Sequence, residues 1–272
     1  MIRGMFSAIS GLRNHQIMLD VTANNLANVN TVGFKSSRAS FKDQLQQTYQ
    51  FGTAAGPTTG GLNGRQVGLG VQLGTIDNQM GSGSLQATGN PLDVAIQGDG
   101  WFRVGLGAPP AMPTETQYTR AGNFRRNDQG YLVTADGYYV MGRTGTADAY
   151  IQIPLGATDT IVGEDGSVSY IPSGGGARTS AGTISLAQFP NEEGLTRVSG
   201  NRWIADPASG TEIVGTPGGT FGVTTSGTLE MSNVDLAAEF TQMIVAQRGF
   251  QANSRVISTS DEMLQDLVNL KR

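Results

Sequence analysis

The chain of 272 residues contains no cysteine. That one absence removes disulfides, thiolate zinc sites, iron–sulfur clusters and cysteine nucleophiles together. Charge is also scarce: Asp, Glu, Lys and Arg make up 15% of the residues, against about a quarter in an average globular chain. With 18 basic and 22 acidic residues, a net charge of −4 and no Lys/Arg stripe, the electrostatic footprint of a nucleic-acid binder is missing. Lysine is rarest, at Lys35, Lys42 and Lys271 only; an Arg-dominated basic set suits interfaces, and a GC-rich genome gives the same bias. No run of 18 apolar residues exists, so no membrane span is expected. The start, Met1 to Phe6, has one positive charge, but Ser7, Ser10, Arg13, Asn14 and His15 interrupt any apolar stretch and no cleavage site is evident. It does not read as a secretory signal peptide, and export would need another route.

Catalytic signals are equally thin. The one histidine, His15, falls in a helical pattern beside Asn14 and Gln16 and reads as a solvated helix residue, which leaves no Ser-His-Asp arrangement. Phosphate-loop, GxGxxG, HExxH and GxSxG patterns are absent. Neighbouring carboxylates occur at Asp93 and Asp99, Glu164 and Asp165, and Glu192 and Glu193. A secreted β-rich hydrolase using such a pair is the enzymatic alternative, but each reads more simply as a turn or rim residue. The expectation is no enzyme, no metal and no cofactor.

What the chain does have is glycine, and its distribution is informative. All ten prolines and 35 of the 39 glycines lie between residues 51 and 230, so the two ends are free to be helical. From the start, Ile2, Met5, Ile9, Leu12, Gln16, Leu19, Ala23 and Leu26 alternate spacings of 3 and 4, a heptad seam with one polar break. At the other end Ser232-Asn-Val-Asp235 resembles a capping box. A second seam follows: Leu236, Phe240, Met243, Gln247, Phe250, Ser254, Ile257, Asp261, Leu264 and Val268. At ~1.5 Å per residue these helices would be roughly 40 and 50 Å long. Each carries a second apolar row, Ile17, Val21 and Val29 on the first and Val256, Met263, Leu267 and Leu270 on the last. One partner helix cannot cover both rows, so either the middle of the chain folds over them or neighbouring subunits do.

The middle reads as short strands at 92–96, 101–104, 131–133, 138–140, 168–170, 183–186 and 202–204. They are bounded by Gly98-Asp-Gly100, Asn127-Asp-Gln-Gly130, Asp136-Gly137 and Asp165-Gly166, where glycine supplies the positive φ of tight turns. Residues 51–70 are small and aperiodic, as in an extended linker. The fold class is therefore α+β. Its expected divisions are an N-terminal helix with its exit at 1–34, an extended linker at 35–70, a β-rich domain at 71–230 and a C-terminal helix at 231–272.

Three stretches carry a family resemblance. Leu19-Asp-Val-Thr-Ala-Asn-Asn-Leu-Ala-Asn-Val-Asn-Thr-Val-Gly-Phe-Lys35 is similar to the Asn-Asn-φ-Ala-Asn-x-x-T-x-G-F-K signature of the rod and hook axial proteins of the bacterial flagellum. Gly89–Val104 with Tyr118–Phe124 resembles the opening of that family's β-domain, and 229–254 with the ending Leu267-Val-Asn-Leu270 resembles its C-terminal helix. Within the family, residues 30–35, 40–43, 66–70 and 269–272 look most like the short hook proteins, without an added outer domain, and distal-rod subunits are the alternative.

The resemblance implies that both termini pair as one discontinuous coiled-coil assembly domain, and that copies build a helical tube. As a hook, that tube is the universal joint that transmits torque from rod to filament. The implied assembly residues are Ile2, Met5, Ile9, Leu12, Leu19, Leu26, Leu236, Phe240, Met243, Phe250, Ile257, Leu264 and Val268. The motif residues are Asn24, Asn25, Asn28, Gly33, Phe34 and Lys35. The implied partners are further copies of the chain, the distal rod, the hook–filament junction protein, the hook cap protein and the flagellar type III export apparatus. The last would read the first ~70 residues, and Phe41-Lys-Asp-Gln-Leu45 weakly resembles the Phe-x-x-x-φ element of such substrates. The implied location is the basal body and hook, outside the cell after export.

Overall fold

The computed structural model describes residues 2–56, 60–107, 109, 111, 113, 115–145 and 147–270; the Ile2 side chain and the basic pair Lys271 and Arg272 lie outside the described residues. The chain forms two compact units. One holds residues 1–27, 37–78 and 235–272, and the other holds 28–36 and 79–234.

The first unit is built on the two helices that the heptad spacing predicts, α1 (Ile2–Ala27) and α2 (Leu236–Asn269). Proline is absent from both and glycine nearly so, which lets them run far beyond ordinary helix length. The N-cap of α2 is Asp235, not Ser232: its carboxylate accepts from the amides of Ala237 at 2.9 Å and Ala238 at 3.3 Å. The Ser232 hydroxyl instead accepts from Val234 at 3.3 Å, outside the helix. The carboxylate is the better cap because it takes two orphan amides and opposes the positive end of the helix dipole.

The helices lie against each other and run antiparallel. A Cβ placed on Gly11 would meet Asn253, one on Gly249 would meet the His15 ring, and Asn25 hydrogen-bonds Glu239. Each step forward along α1 thus matches an equal step back along α2. That register sets Ile2 opposite 262, so the last two turns of α2 outrun α1.

The stretch expected as a linker, 35–70, carries three strands, β1 (Ser37–Asp43), β2 (Gln46–Gln50) and β3 (Arg65–Gly68), and β4 (Val71–Asn78) follows at the start of the stretch expected as the β-rich domain. β1 pairs antiparallel with β4, and β2 with β3, as one nested ribbon. Its strands carry few apolar alternations and most of its side chains are exposed, which is why periodicity does not reveal it. β1 and β4 contact α1. The Val71 amide donates to Ser10 Oγ at 3.3 Å, and the His15 ring meets Phe41 edge-on at 6.5 Å. His15 is consequently a packed seam residue and not a solvated one, since Gly249 leaves room for its ring.

The second unit is antiparallel β throughout its largest sheet. The main path runs through strands 158–162, 167–171, 179–184, 139–144, 101–105, 116–119, 202–204 and 196–198. Each run read as a strand in the sequence overlaps one here. Asp136-Gly137 and Asp165-Gly166 form the expected turns, with φ of 83° and 74° at the glycines. Strand 101–105 is buried along its whole length. Successive side chains point to opposite faces, so Phe102 and Val104 join a cluster with Ile96, Phe124, Val140 and Ile184, while Trp101 joins Tyr118, Phe189 and Trp203. The two tryptophans meet edge-to-face at 5.7 Å.

Two substitutions test these packings separately. Phe102→Ala removes a fully buried ring and should destabilise the strand unit by about 3–5 kcal/mol in denaturant titration followed by tryptophan fluorescence. Gly249→Leu forces a side chain into the His15 ring and should cost the helix pair about 1–3 kcal/mol, read as faster amide exchange in α1 and α2 with exchange in strand 101–105 unchanged.

Candidate assembly surface

Heptad rows decide which helix residues meet. In α1 the covered row is Ala8, Gly11, His15, Met18, Thr22 and Asn25, and in α2 it is Glu239, Ala246, Asn253 and Ser260. The α1 row lies one residue from the predicted seam, about 100° around the helix, and in α2 one of the two predicted seam positions is displaced in the same way. Apart from Met18 the covered residues are small or polar, Asn14 is buried beside the row, and the backbones come close at Gly11 and Gly249. A bulky row would hold the helices apart.

The predicted seam residues therefore flank the contact or face outward. Met5, Ile9, Leu12, Leu19, Leu26, Met243, Phe250, Ile257 and Leu264 are half-buried, and Leu236, Phe240 and Val268 are exposed. Phe6 on α1 is 62% exposed, and on α2 Ile244, Val245, Val256, Met263 and Leu267 are about half exposed and Val268 is 68% exposed, so α2 carries exposed apolar residues in two groups, 236–245 and 256–268. Single exposed apolar residues are ordinary on a monomer, and groups of them on a helix mark a candidate interaction surface.

At the end of α1, Asn25 makes a joint that only an amide can make. Its Nδ2 donates to the Ser37 carbonyl at 2.8 Å, its Oδ1 accepts from the Ser37 amide at 3.0 Å, and Nδ2 also donates to Glu239 Oε1 at 3.0 Å. The side chain thus mimics a peptide group for the start of β1 and fixes the helix register at the same time. Burial raises the pKa of Glu239; the bond from Asn25 works the other way, and the nearby Asp235 carboxylate adds to the rise.

Asn24 lies exposed on α1, and the other motif residues, Asn28, Gly33, Phe34 and Lys35, belong to the strand unit. Gly33, with φ of 67°, has a backbone contact so close that a Cβ would lie 2.5 Å from the Ala121 nitrogen, and its amide donates to the Glu230 carbonyl at 2.8 Å. Lys35 is fully buried. Its Nζ donates to Glu230 Oε1 at 2.7 Å and to the Gly81 carbonyl at 3.0 Å, while Arg120 reaches Glu230 Oε2 at 3.3 Å. Burial lowers the Lys35 pKa against the opposing pull of Glu230. Phe34 stacks under the Arg197 guanidinium, 4.6 Å from its ring, and Trp203 takes the same cation at 4.7 Å. Thr31 donates to Asn28 Oδ1 at 3.1 Å.

Nothing in these geometries reads as catalysis. Asp93 is occupied by Thr88 Oγ1 at 2.6 Å and Asn90 Nδ2 at 3.1 Å. A cavity of about 440 Å³ near Asn123, Asn201 and Thr134 is lined by one carboxylate, Asp136, paired with Arg202. Among the described residues no His, Asp or Glu cluster suits a metal, and no helix is long and apolar enough to cross a membrane.

Long end helices with an uncovered apolar face, joined to a rigid strand unit, describe a structural subunit. The comparisons agree. Residues 5–35 match the family described as flagella basal body rod protein, 95–170 the flagellar hook protein FlgE/F/G D1 domain, and 225–270 the flagellar basal body rod FlgEFG protein C-terminal. Over the whole of both chains, this sequence is 50% identical to the flagellar basal-body rod protein FlgG of Bacillus subtilis. It is 40% identical to that of Caulobacter vibrioides, over 99% of this chain and all of the relative. The flagellar hook protein FlgE of Borreliella burgdorferi is 26% identical across a 447-residue alignment that covers both chains in full. The chain belongs to the FlgE/F/G family of flagellar rod and hook proteins, a structural family and not an enzyme family.

The helix motif was legible in sequence, but Glu239, Glu230, Arg120, Gly249 and Asn253 were missed. Only the small pair Ala246 and Gly249, at the same spacing as Ala8 and Gly11, signalled a close helix contact.

Two experiments follow. Between the ordinary glutamate pKa and its raised value, Glu239 holds more proton in the folded chain than in the unfolded one, so helix-pair stability should fall as pH rises through that window. Glu239→Gln should flatten the profile, and Asn25→Asp should steepen it by setting two carboxylates together. Glu230→Gln leaves two buried cations without their counter-charge and should cost the strand unit about 3–5 kcal/mol by chemical denaturation.

Proposed function

We propose that the chain is a subunit of the rod of the flagellar basal body and polymerises by covering the apolar rows of α1 and α2 with those of neighbouring copies. The observation that carries this reading is the exposed α2 face, Leu236, Phe240, Ile244, Val245, Val256, Met263, Leu267 and Val268. The single chain covers a mostly small, polar row and leaves these bulky α2 residues exposed. In the polymer the α1–α2 pair would complete a coiled-coil layer with its neighbours, and Met5, Ile9, Leu12, Leu26, Phe250, Ile257 and Leu264 would close at its flanks.

The rod alternative has more support than the hook reading. Relatives at 37–50% identity over nearly the whole chain are named rod proteins, whereas the hook relative aligns at 26% over a length far exceeding this chain. The partners are further copies of the chain, adjoining axial proteins and the flagellar type III export apparatus. The hook cap and hook–filament junction proteins go with the hook reading. The place of work is the flagellum, outside the cell membrane after export.

Ile244→Asp or Val268→Asp should abolish polymers in sedimentation and electron microscopy while leaving the melting of the isolated chain within about 0.5 kcal/mol, since surface changes are mild in the monomer. In the polymer, a buried unpaired carboxylate costs several kcal/mol at each subunit. Normal polymers from both variants would contradict the proposed surface. To separate rod from hook, electron microscopy of a strain lacking the gene should show no complete rod; a complete rod without a hook would return the hook reading.

A further inference from the structure

We propose that Asn63–Gly64 is a self-modification site, at which the asparagine loses ammonia through a succinimide and becomes aspartate or isoaspartate. It is the one Asn-Gly step in the chain. The Gly64 nitrogen attacks the Asn63 side-chain carbonyl carbon, Cγ. A bond forms between them, and the side-chain nitrogen leaves as ammonia with the proton from the Gly64 amide. Water then opens the ring. Cleavage of the new bond to Cγ gives aspartate, and cleavage of the original peptide bond gives isoaspartate, linked through Cγ with the main-chain carboxylate free.

This reaction needs a free attacking N–H, open space and a backbone able to turn toward its own side chain, which glycine at the second position provides. The structure supplies all three at Gly64. Both residues are exposed, and among the described residues the Gly64 amide makes no hydrogen bond. The step lies between two rungs of the ribbon. Gln50 pairs with Arg65, and Thr53 exchanges hydrogen bonds of 2.9 and 3.0 Å with Leu62.

Competing sites are closed for identifiable reasons. Asn90 precedes Pro91, which has no N–H to attack with. Asn25 is buried with its amide engaged on both sides, and Asn253 sits within α2, where the next amide belongs to the helix ladder. The aspartate steps that follow the same chemistry are also held. The Gly137 amide donates to the Thr134 carbonyl at 3.0 Å, the Gly166 amide donates to the Gly163 carbonyl at 3.0 Å, and Gly100 is buried.

The product changes the ribbon in two ways. A negative charge appears beside Arg65, and isoaspartate lengthens the backbone by one carbon between the two rungs, which puts them out of step.

The test is incubation of the purified full-length chain at neutral and mildly alkaline pH. Peptide mass mapping and methyl labelling by isoaspartyl methyltransferase give the readout. Conversion should be greater at residue 63 than at any other asparagine and should rise with pH, because the attacking amide must lose its proton. Labelling should be lost in Asn63→Gln and strongly slowed in Gly64→Ala, whose Cβ meets nothing closer than the Gln50 carbonyl at 3.3 Å. Residue 63 remaining an amide while other asparagines convert, or an undiminished rate in Gly64→Ala, would overturn the assignment.

Discussion

The helix unit, and the surface it leaves free, depend on the close contact between α1 and α2. Gly11 and Gly249 bring the two backbones near enough that Asn253 and the His15 ring fill the space a Cβ would take. A seam of Ala, Gly, Thr, Asn and Ser buries little apolar area. At about 25 cal/mol per Å², each of these small side chains contributes less than the ~1.5–3 kcal/mol that a fully buried Leu, Phe or Met supplies. A substantial apolar area on the helices, at Phe6, Leu236, Phe240, Ile244, Val245, Val256, Met263, Leu267 and Val268, stays exposed on the single chain.

The signature around residues 24–35 follows from the same economy of space. Asn25 stands in for a peptide group toward Ser37 and pins Glu239 in register. A few residues later, in the strand unit, Gly33 and Lys35 both use Glu230, one through its carbonyl and one through its carboxylate. A buried ion pair gives little net stability. In return, it makes the position of residues 33–35 on the strand unit depend on one charge geometry, which a purely apolar contact would specify less tightly.

Much of this was legible in the sequence because the signals are local. Spacings of 3 and 4 gave both helices, and Asp-Gly steps gave the turns at 136–137 and 165–166. The runs read as strands at 92–96 and 101–104 overlap the strands of the buried core. The seam was displaced because periodicity marks the most apolar row, and here the helices meet along a less apolar one. The ribbon of β1 to β4 escaped because its exposed strands carry little alternation, so residues 37–50 and 65–68 looked like linker and 71–78 were placed with the β-rich domain. Lys35 finds Glu230 at a separation of 195 residues, and Arg120 finds it at 110. No pattern within a window shows such pairs.

The cysteine-free chain allows a direct test of the central claim, that the exposed face of α2 is covered by other copies. A single thiol is introduced by Ile244→Cys, at a position 52% exposed in the lone chain, and as a control by Leu155→Cys, at 61%. Labelling rates are then measured in monomer and polymer. Coverage predicts that residue 244 reacts quickly in the monomer and at least about tenfold more slowly in the polymer, a difference equivalent to ~1.4 kcal/mol of protection, with residue 155 changing less. Equal labelling of residue 244 in both states would contradict it.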